Sequence, residues 1–121
     1  MKTKVQLAGT VVALLLLFSL PGQSQSAPTK LTVSGFVQNQ MCINNDFVKV
    51  TLSATADSDS HPVGFRWDLN NDGKADTKLS TDPTVVHVYP DESNIRVAVG
   101  AINQAGERAV SRFSFATLKC R

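Results

Sequence analysis

The sequence predicts an all-β fold: an antiparallel β-sandwich of about seven short strands, following an N-terminal export signal. Three observations predict it. Apolar and polar residues alternate with period two in several stretches, most cleanly at Ile95, Val97, Val99 and Ala101. Clusters of Gly, Pro, Asn, Asp and Ser interrupt those stretches at spacings of about 8 to 12 residues, the rhythm of a sandwich. No helical period is sustained anywhere after the first 26 residues.

Residues 1–26 read as a signal peptide. Lys2 and Lys4 precede an apolar run over 11–20, and small residues follow at Gly22, Ser24 and Ser26. Thr10 and Pro21 bracket a run about half the roughly 20 apolar residues that a membrane-spanning helix needs. The mature chain is therefore expected to be secreted, without a membrane span. Cleavage lowers the 12 basic residues to 10, against 10 acidic ones, so the mature chain is formally neutral. The charges are sorted into an acidic middle and a basic end, without the clustered Lys/Arg and stacking aromatics of a nucleic-acid surface. Residues 27–46 form a leader carrying the first strand and a cysteine loop, and 47–121 form the sandwich. The two segments are expected to fold as one unit, and as a monomer.

In the first strand Leu31, Val33, Gly35 and Val37 alternate with Thr32, Ser34 and Phe36. Cys42 follows in a polar connection over 38–46. Val48, Val50, Leu52 and Ala54 mark a second strand, and 57–62 is a turn cluster. Phe65, Trp67 and Leu69 share one face of a third strand, with Trp67 assigned to the core. A short segment follows at 77–79. Residues 85–89 are apolar on both faces apart from His87, as in a strand between layers or one partly covered by a loop. Val97 and Val99 belong to the next strand, which turns at 103–106. The last strand returns with Phe113 and Phe115 facing the core. Cys42 and Cys120 are the only cysteines. In an oxidising compartment a disulfide between them is expected, contributing about 4 kcal/mol through loop closure. Two free thiols or an intermolecular bridge are the alternatives.

The polar loop after the third strand carries the densest run of oxygen ligands. Asp68, Asn70, Asp72, Gly73 and Asp76 occupy the first, third, fifth, sixth and ninth places of a D-x-[DN]-x-[DN]-G calcium-loop pattern. Three carboxylates, the Asn70 amide oxygen and the Lys74 carbonyl would suit Ca2+. At the twelfth place, however, Leu79 replaces the bidentate glutamate. Water, or a second loop such as 57–59, would then have to complete the shell. Asn-Asn-Asp-Gly is also an ordinary turn sequence, so calcium site and plain turn both stay open.

Val50-Thr-Leu-Ser-Ala54, the Asp57-Ser-Asp59 turn, Phe65-Arg-Trp-Asp68, Asp72-Gly73, Asp82-Pro83, His87-Val-Tyr89, Val97-Ala-Val99 and Asn103-Gln-Ala-Gly106 resemble, in that order, the polycystic kidney disease (PKD) repeat family in its bacterial secreted form. The resemblance covers roughly 47–118. Its most specific piece is Trp67-Asp-Leu-Asn-Asn-Asp-Gly73, one residue longer than the family's frequent Trp-Asp-Phe-Gly-Asp-Gly. Asn94-Ile95-Arg96 replaces the usual Gly-x-Tyr. The resemblance implies an Ig-like (immunoglobulin-like) extracellular sandwich that mediates protein or carbohydrate contacts.

The functional expectation is a secreted, non-catalytic module binding an extracellular protein or a cell-envelope component. A carbohydrate module for polysaccharide is the alternative within binding, and it would need Phe36, Phe47 or Tyr89 side by side on an open face. A small hydrolase using paired carboxylates of the 68–76 loop is the alternative from another class. No nucleophile elbow and no set of zinc ligands at metal-binding spacing accompanies that loop.

Overall fold

The computed structural model describes residues 30–121, and the expected signal peptide lies outside them. Among the described residues six strands form two antiparallel sheets and there is no helix. One sheet has the order β1 (Thr32–Cys42), β2 (Phe47–Asp57), β4 (Thr84–Pro90). The other has the order β3 (Val63–Asp68), β5 (Asn94–Asn103), β6 (Arg108–Ala116). The two sheets pack face to face as an Ig-like sandwich.

Alternation decides which side chains enter the space between the sheets. Val48, Val50 and Leu52 of β2 and Val97 and Val99 of β5 are fully buried there. Trp67 of β3, 2% exposed, sits among them, with Phe65 and Leu69 also buried. Phe113 and Phe115 are only half-buried, short of full core residues, because β6 is a sheet edge and its rings lie along the rim. Phe113 still meets the Trp67 ring edge-on at 6.3 Å. It reaches that place because Gly35 of β1 lies beneath it, where an added Cβ would run into the ring.

The first strand runs past Val37, where its sequence pattern stops. A bulge between Val37 and Asn39 shifts the β1–β2 register by one residue, so the inward positions change from Val33, Gly35 and Val37 to Gln40 and Cys42. Two polar-looking residues thereby face the other sheet. Gln40 donates to the Ala116 carbonyl (3.0 Å) and accepts from the Leu118 N–H (2.9 Å). Cys42 closes a disulfide with Cys120 at a sequence separation of 78. The bridge therefore joins a strand end to the C-terminal segment, and Cys42 does not lie in a loop.

Two other expectations are corrected. The described residues hold six strands where about seven are expected: the 77–79 segment forms none, and a single bridge between Phe65 and Ser80 holds it against β3. The Trp67 backbone N–H, which a seventh strand would have engaged, donates to the Thr77 hydroxyl at 2.9 Å. β4 is not a strand between layers. It is the free edge of its sheet, with Val86 and Val88 facing out and Tyr89 facing in.

Candidate functional site

The loop after β3 folds around its own acids. Asp68, 8% exposed, accepts the Asp72 N–H on Oδ1 (3.2 Å) and the Gly73 N–H on Oδ2 (2.8 Å). Asn70 Oδ1 also receives the Asp72 N–H (3.3 Å), and Asp72 Oδ1 receives the Lys74 N–H (2.9 Å). Asp76 Oδ2 closes the loop by accepting the Leu69 N–H at 2.7 Å. Such a tight path requires left-handed backbone at two positions, Asn71 (φ 57°) and Gly73 (φ 87°), residue types that tolerate it. The sequence dictates this shape locally, since short Asp and Asn side chains bond backbone groups a few residues ahead.

One carboxylate oxygen from each of Asp68, Asp72 and Asp76 falls within 4.8 Å of the others. The fold thus brings the three predicted carboxylates together. Asn70 borders the cluster through its bond to the Asp72 N–H. At the twelfth place Leu79 lies away from the loop, its side chain packed over Gly64. The 57–59 turn cannot complete a cation shell with these acids. Ser58 is bonded to Asn103, which pairs with Val63 at the start of β3, whereas Asp68 ends that strand. Five residues of strand, about 17 Å, separate the two loops.

Burial alone would raise the Asp68 pKa, but hydrogen bonds from Gly73, Asp72 and Asn70 outweigh it and hold the carboxyl below the ordinary aspartate value. Beneath the loop is a residue that the sequence left among the exposed aromatics. Tyr89 is 6% exposed and its hydroxyl donates to the Leu69 carbonyl at 2.8 Å. Burial, followed by the charges of Asp76 and Asp68, pushes its pKa up to about 12. The signal for it was phase: Tyr89 shares a face with Val85 and pairs with the inward Val48.

The outer face of the β1-β2-β4 sheet exposes several large apolar side chains. Phe36, Met41, Phe47, Val86 and Val88 are each 43% to 54% exposed. Met41, Lys49 and Val88 form one row across the three strands, with Val86 in the row beside it. Phe36 pairs with Ser53 and Phe47 with Pro90, levels six residues apart along β2, about 20 Å. The aromatic rings are therefore not side by side, and with Tyr89 buried the condition set for a stacking carbohydrate platform is not met.

Among the described residues no helix is long and apolar enough to cross a membrane. A family model described as PKD domain matches residues 30–113. No curated protein matches the chain. The matched span begins before β1 and runs into β6, so it takes in both sheets.

Proposed function

The chain belongs to the PKD domain family, and from that premise we propose that it is a secreted binding module that docks an extracellular protein or cell-envelope component through the outer face of the β1-β2-β4 sheet. The family is a non-catalytic Ig-like one, typically extracellular and generally engaged in protein contacts or adhesion. The carrying observation is the group of exposed apolar side chains Met41, Val86, Val88 and Phe47 on that face, gathered around Lys49 and Thr51 of the middle strand. Apolar surface gathered on one face favours association, and the free β4 edge next to it adds unpaired backbone groups that a partner strand can engage. The Cys42–Cys120 disulfide accords with export.

The test is capture from the producing organism's extracellular fraction with the immobilised oxidised domain. A Val86→Asp/Val88→Asp double variant should lose the proteins that the wild type retains. Leu79→Asp, the same kind of change at one exposed leucine elsewhere, should keep them. Equal capture by all three proteins would remove this face from the reading.

Within the same reading the 68–76 loop holds calcium and stiffens the end of the sandwich. Support comes from the donor set: three carboxylates gathered around a tight glycine turn, all of them hard oxygen ligands. A carboxylate has about four acceptor sites, so the backbone bonds made by Asp68, Asp72 and Asp76 leave lone pairs for a cation.

A further inference from the structure

We propose that the chain, expected from its sequence to be a monomer, forms a two-fold symmetric dimer by antiparallel pairing of the free β4 edge with the same edge of a second copy. The proposal concerns the strand edge and does not rest on the outer face taking up a partner. Each of the other three sheet edges carries a protection. β3 is capped by the 76–80 segment, which bonds the Phe65 and Trp67 backbone groups. β1 is interrupted by its bulge and tied through Gln40 to the Ala116 carbonyl and the Leu118 N–H. β6 carries Arg108 and Arg112. β4 has neither cover, bulge nor charge: Thr-Val-Val-His-Val-Tyr-Pro holds no Asp, Glu, Lys or Arg, pairs with β2 without a register shift, and has its one proline in the last place. Soluble domains protect their edges, and a bare one is a template for another strand.

Register makes this edge complementary to itself. The Ala54 N–H donates to the Pro83 carbonyl (3.0 Å) and the Asp91 N–H to the Asp46 carbonyl (2.9 Å), which fixes the β4 residues that bond β2 as Val85, His87 and Tyr89. The N–H and C=O groups of Val86 and Val88 therefore point out of the sheet edge, and among the described residues nothing engages them. An antiparallel copy centred on His87 sets Val86 opposite the second copy's Val88, and each valine exchanges both groups with the other. Centring on Val86 or Val88 instead brings in Thr84, whose N–H is held by Asp82 at 3.0 Å, or Pro90, which has no N–H. Only the His87 register leaves no bond unmade. The side chains agree with it: Val86 and Val88, 54% and 44% exposed in the single chain, meet each other on the outer face, and the two exposed His87 side chains meet across the axis. Pairing consumes the bare edge of both copies, so assembly closes at two. An edge of seven residues is short, which puts the interface in the small, weak class with a Kd above about 1 µM.

Sedimentation of the oxidised chain at concentrations from about 10 µM to about 1 mM tests this. The wild type should pass from monomer to dimer and stop there. Val88→Pro removes one outward N–H and no bond to β2, so it should melt close to the wild type and weaken association about tenfold or more. His87→Asp and His87→Lys place like charges on the axis, about 4.5 Å apart between Cα atoms, and each alone should stay monomeric. An equimolar mixture of the two should dimerise, a rescue that only the His87 register predicts. Val110→Asp, a charge added at an exposed valine of β6, should leave the dimer intact. Should Val88→Pro fail to fold, the His87 variants decide. A wild type still monomeric at about 1 mM, a folded Val88→Pro that dimerises like the wild type, a mixture no tighter than its parts, or loss of the dimer in Val110→Asp would each overturn the proposal. A monomeric wild type that still captures its partners would remove the dimer alone, and a dimer that captures nothing would remove the docking face alone.

Discussion

Trp67 shows how much one side chain organises here. It fills the centre of the sandwich, touches the Phe113 ring edge-on, and has its indole Nε1 buried without a hydrogen-bond partner. Trp67→Ala should therefore cost about 3 to 5 kcal/mol in denaturant unfolding, the range for truncating a buried large aromatic. Trp67→Phe should cost clearly less, since it keeps an aromatic ring and removes the unpartnered N–H. If Trp67→Ala melts with the wild type, its packing role is wrong. Tyr89 offers a second residue-scale test, because it is the only tyrosine and phenolate absorbance reports it alone. Its ionisation should centre near pH 12 in EDTA, above the ordinary value near 10. Calcium in the loop would offset the Asp76 and Asp68 charges that help to raise it, so added calcium should lower the midpoint. An unchanged midpoint would count against the metal assignment.

At the scale of the element, the loop after β3 can be judged by what a cation does to it. Binding to the native state alone adds RT ln(1 + [Ca]/Kd), so 10 mM calcium with a Kd of about 0.1 to 1 mM contributes roughly 1.4 to 2.7 kcal/mol. That corresponds to a rise of several degrees in Tm for a domain of this size. Asp72→Ala should abolish the rise and leave the calcium-free protein folded, since Asp72 is exposed and its loss also relieves like-charge repulsion. Identical wild-type melting curves in calcium and EDTA would make the loop a plain turn. The composition of this loop was legible because Asx-type hydrogen bonds act over a few residues. The bulge in β1 was not legible. Nothing in 31–46 distinguishes a strand that slips by one residue from a strand that ends, and only the partners of Gln40 and Cys42 on the other side of the fold settle it.

For the whole molecule, the disulfide and pH set the limits of stability. Reduction of Cys42–Cys120 should lower unfolding free energy by about 4 kcal/mol, given the 78-residue separation, and a denaturant titration with and without reductant would measure it. Little change would mean that the unfolded chain stays compact without the bond. Tyr89 links stability to alkaline pH. Its pKa is raised by folding, so its contribution is complete below about pH 10 and is lost as pH climbs toward 12. Asp68 acts in the opposite direction: its lowered pKa favours the fold above the ordinary aspartate range, and this is lost as pH falls below it. Tyr89→Phe should flatten the alkaline limb while costing about 1 kcal/mol at neutral pH for the lost bond to Leu69. An alkaline limb unchanged in that variant would assign the loss to another group.

The sequence by itself determined what is local or periodic. The alternation at 48–54 and 95–101 fixed which faces are buried, Trp67 declared itself core by its phase with Phe65 and Leu69, and the Asp/Asn/Gly run fixed a tight acidic loop. Tertiary structure decided what depends on which sheet a strand joins and where in that sheet it lies. Val85 and Tyr89 on one face and Val86 and Val88 on the other are equally apolar as text, yet one pair turns to the core and the other lies open, because β4 took an edge. Phe113 and Phe115 alternate like core residues and remain half-buried for the same reason. Arg66 and Arg112 are 46 positions apart in the chain and become neighbours across Ala98 and Gly100 through the order β3-β5-β6 alone. Pairing between distant strands carries no signature in either strand's own residues, so these relations exist only once the sheets have formed.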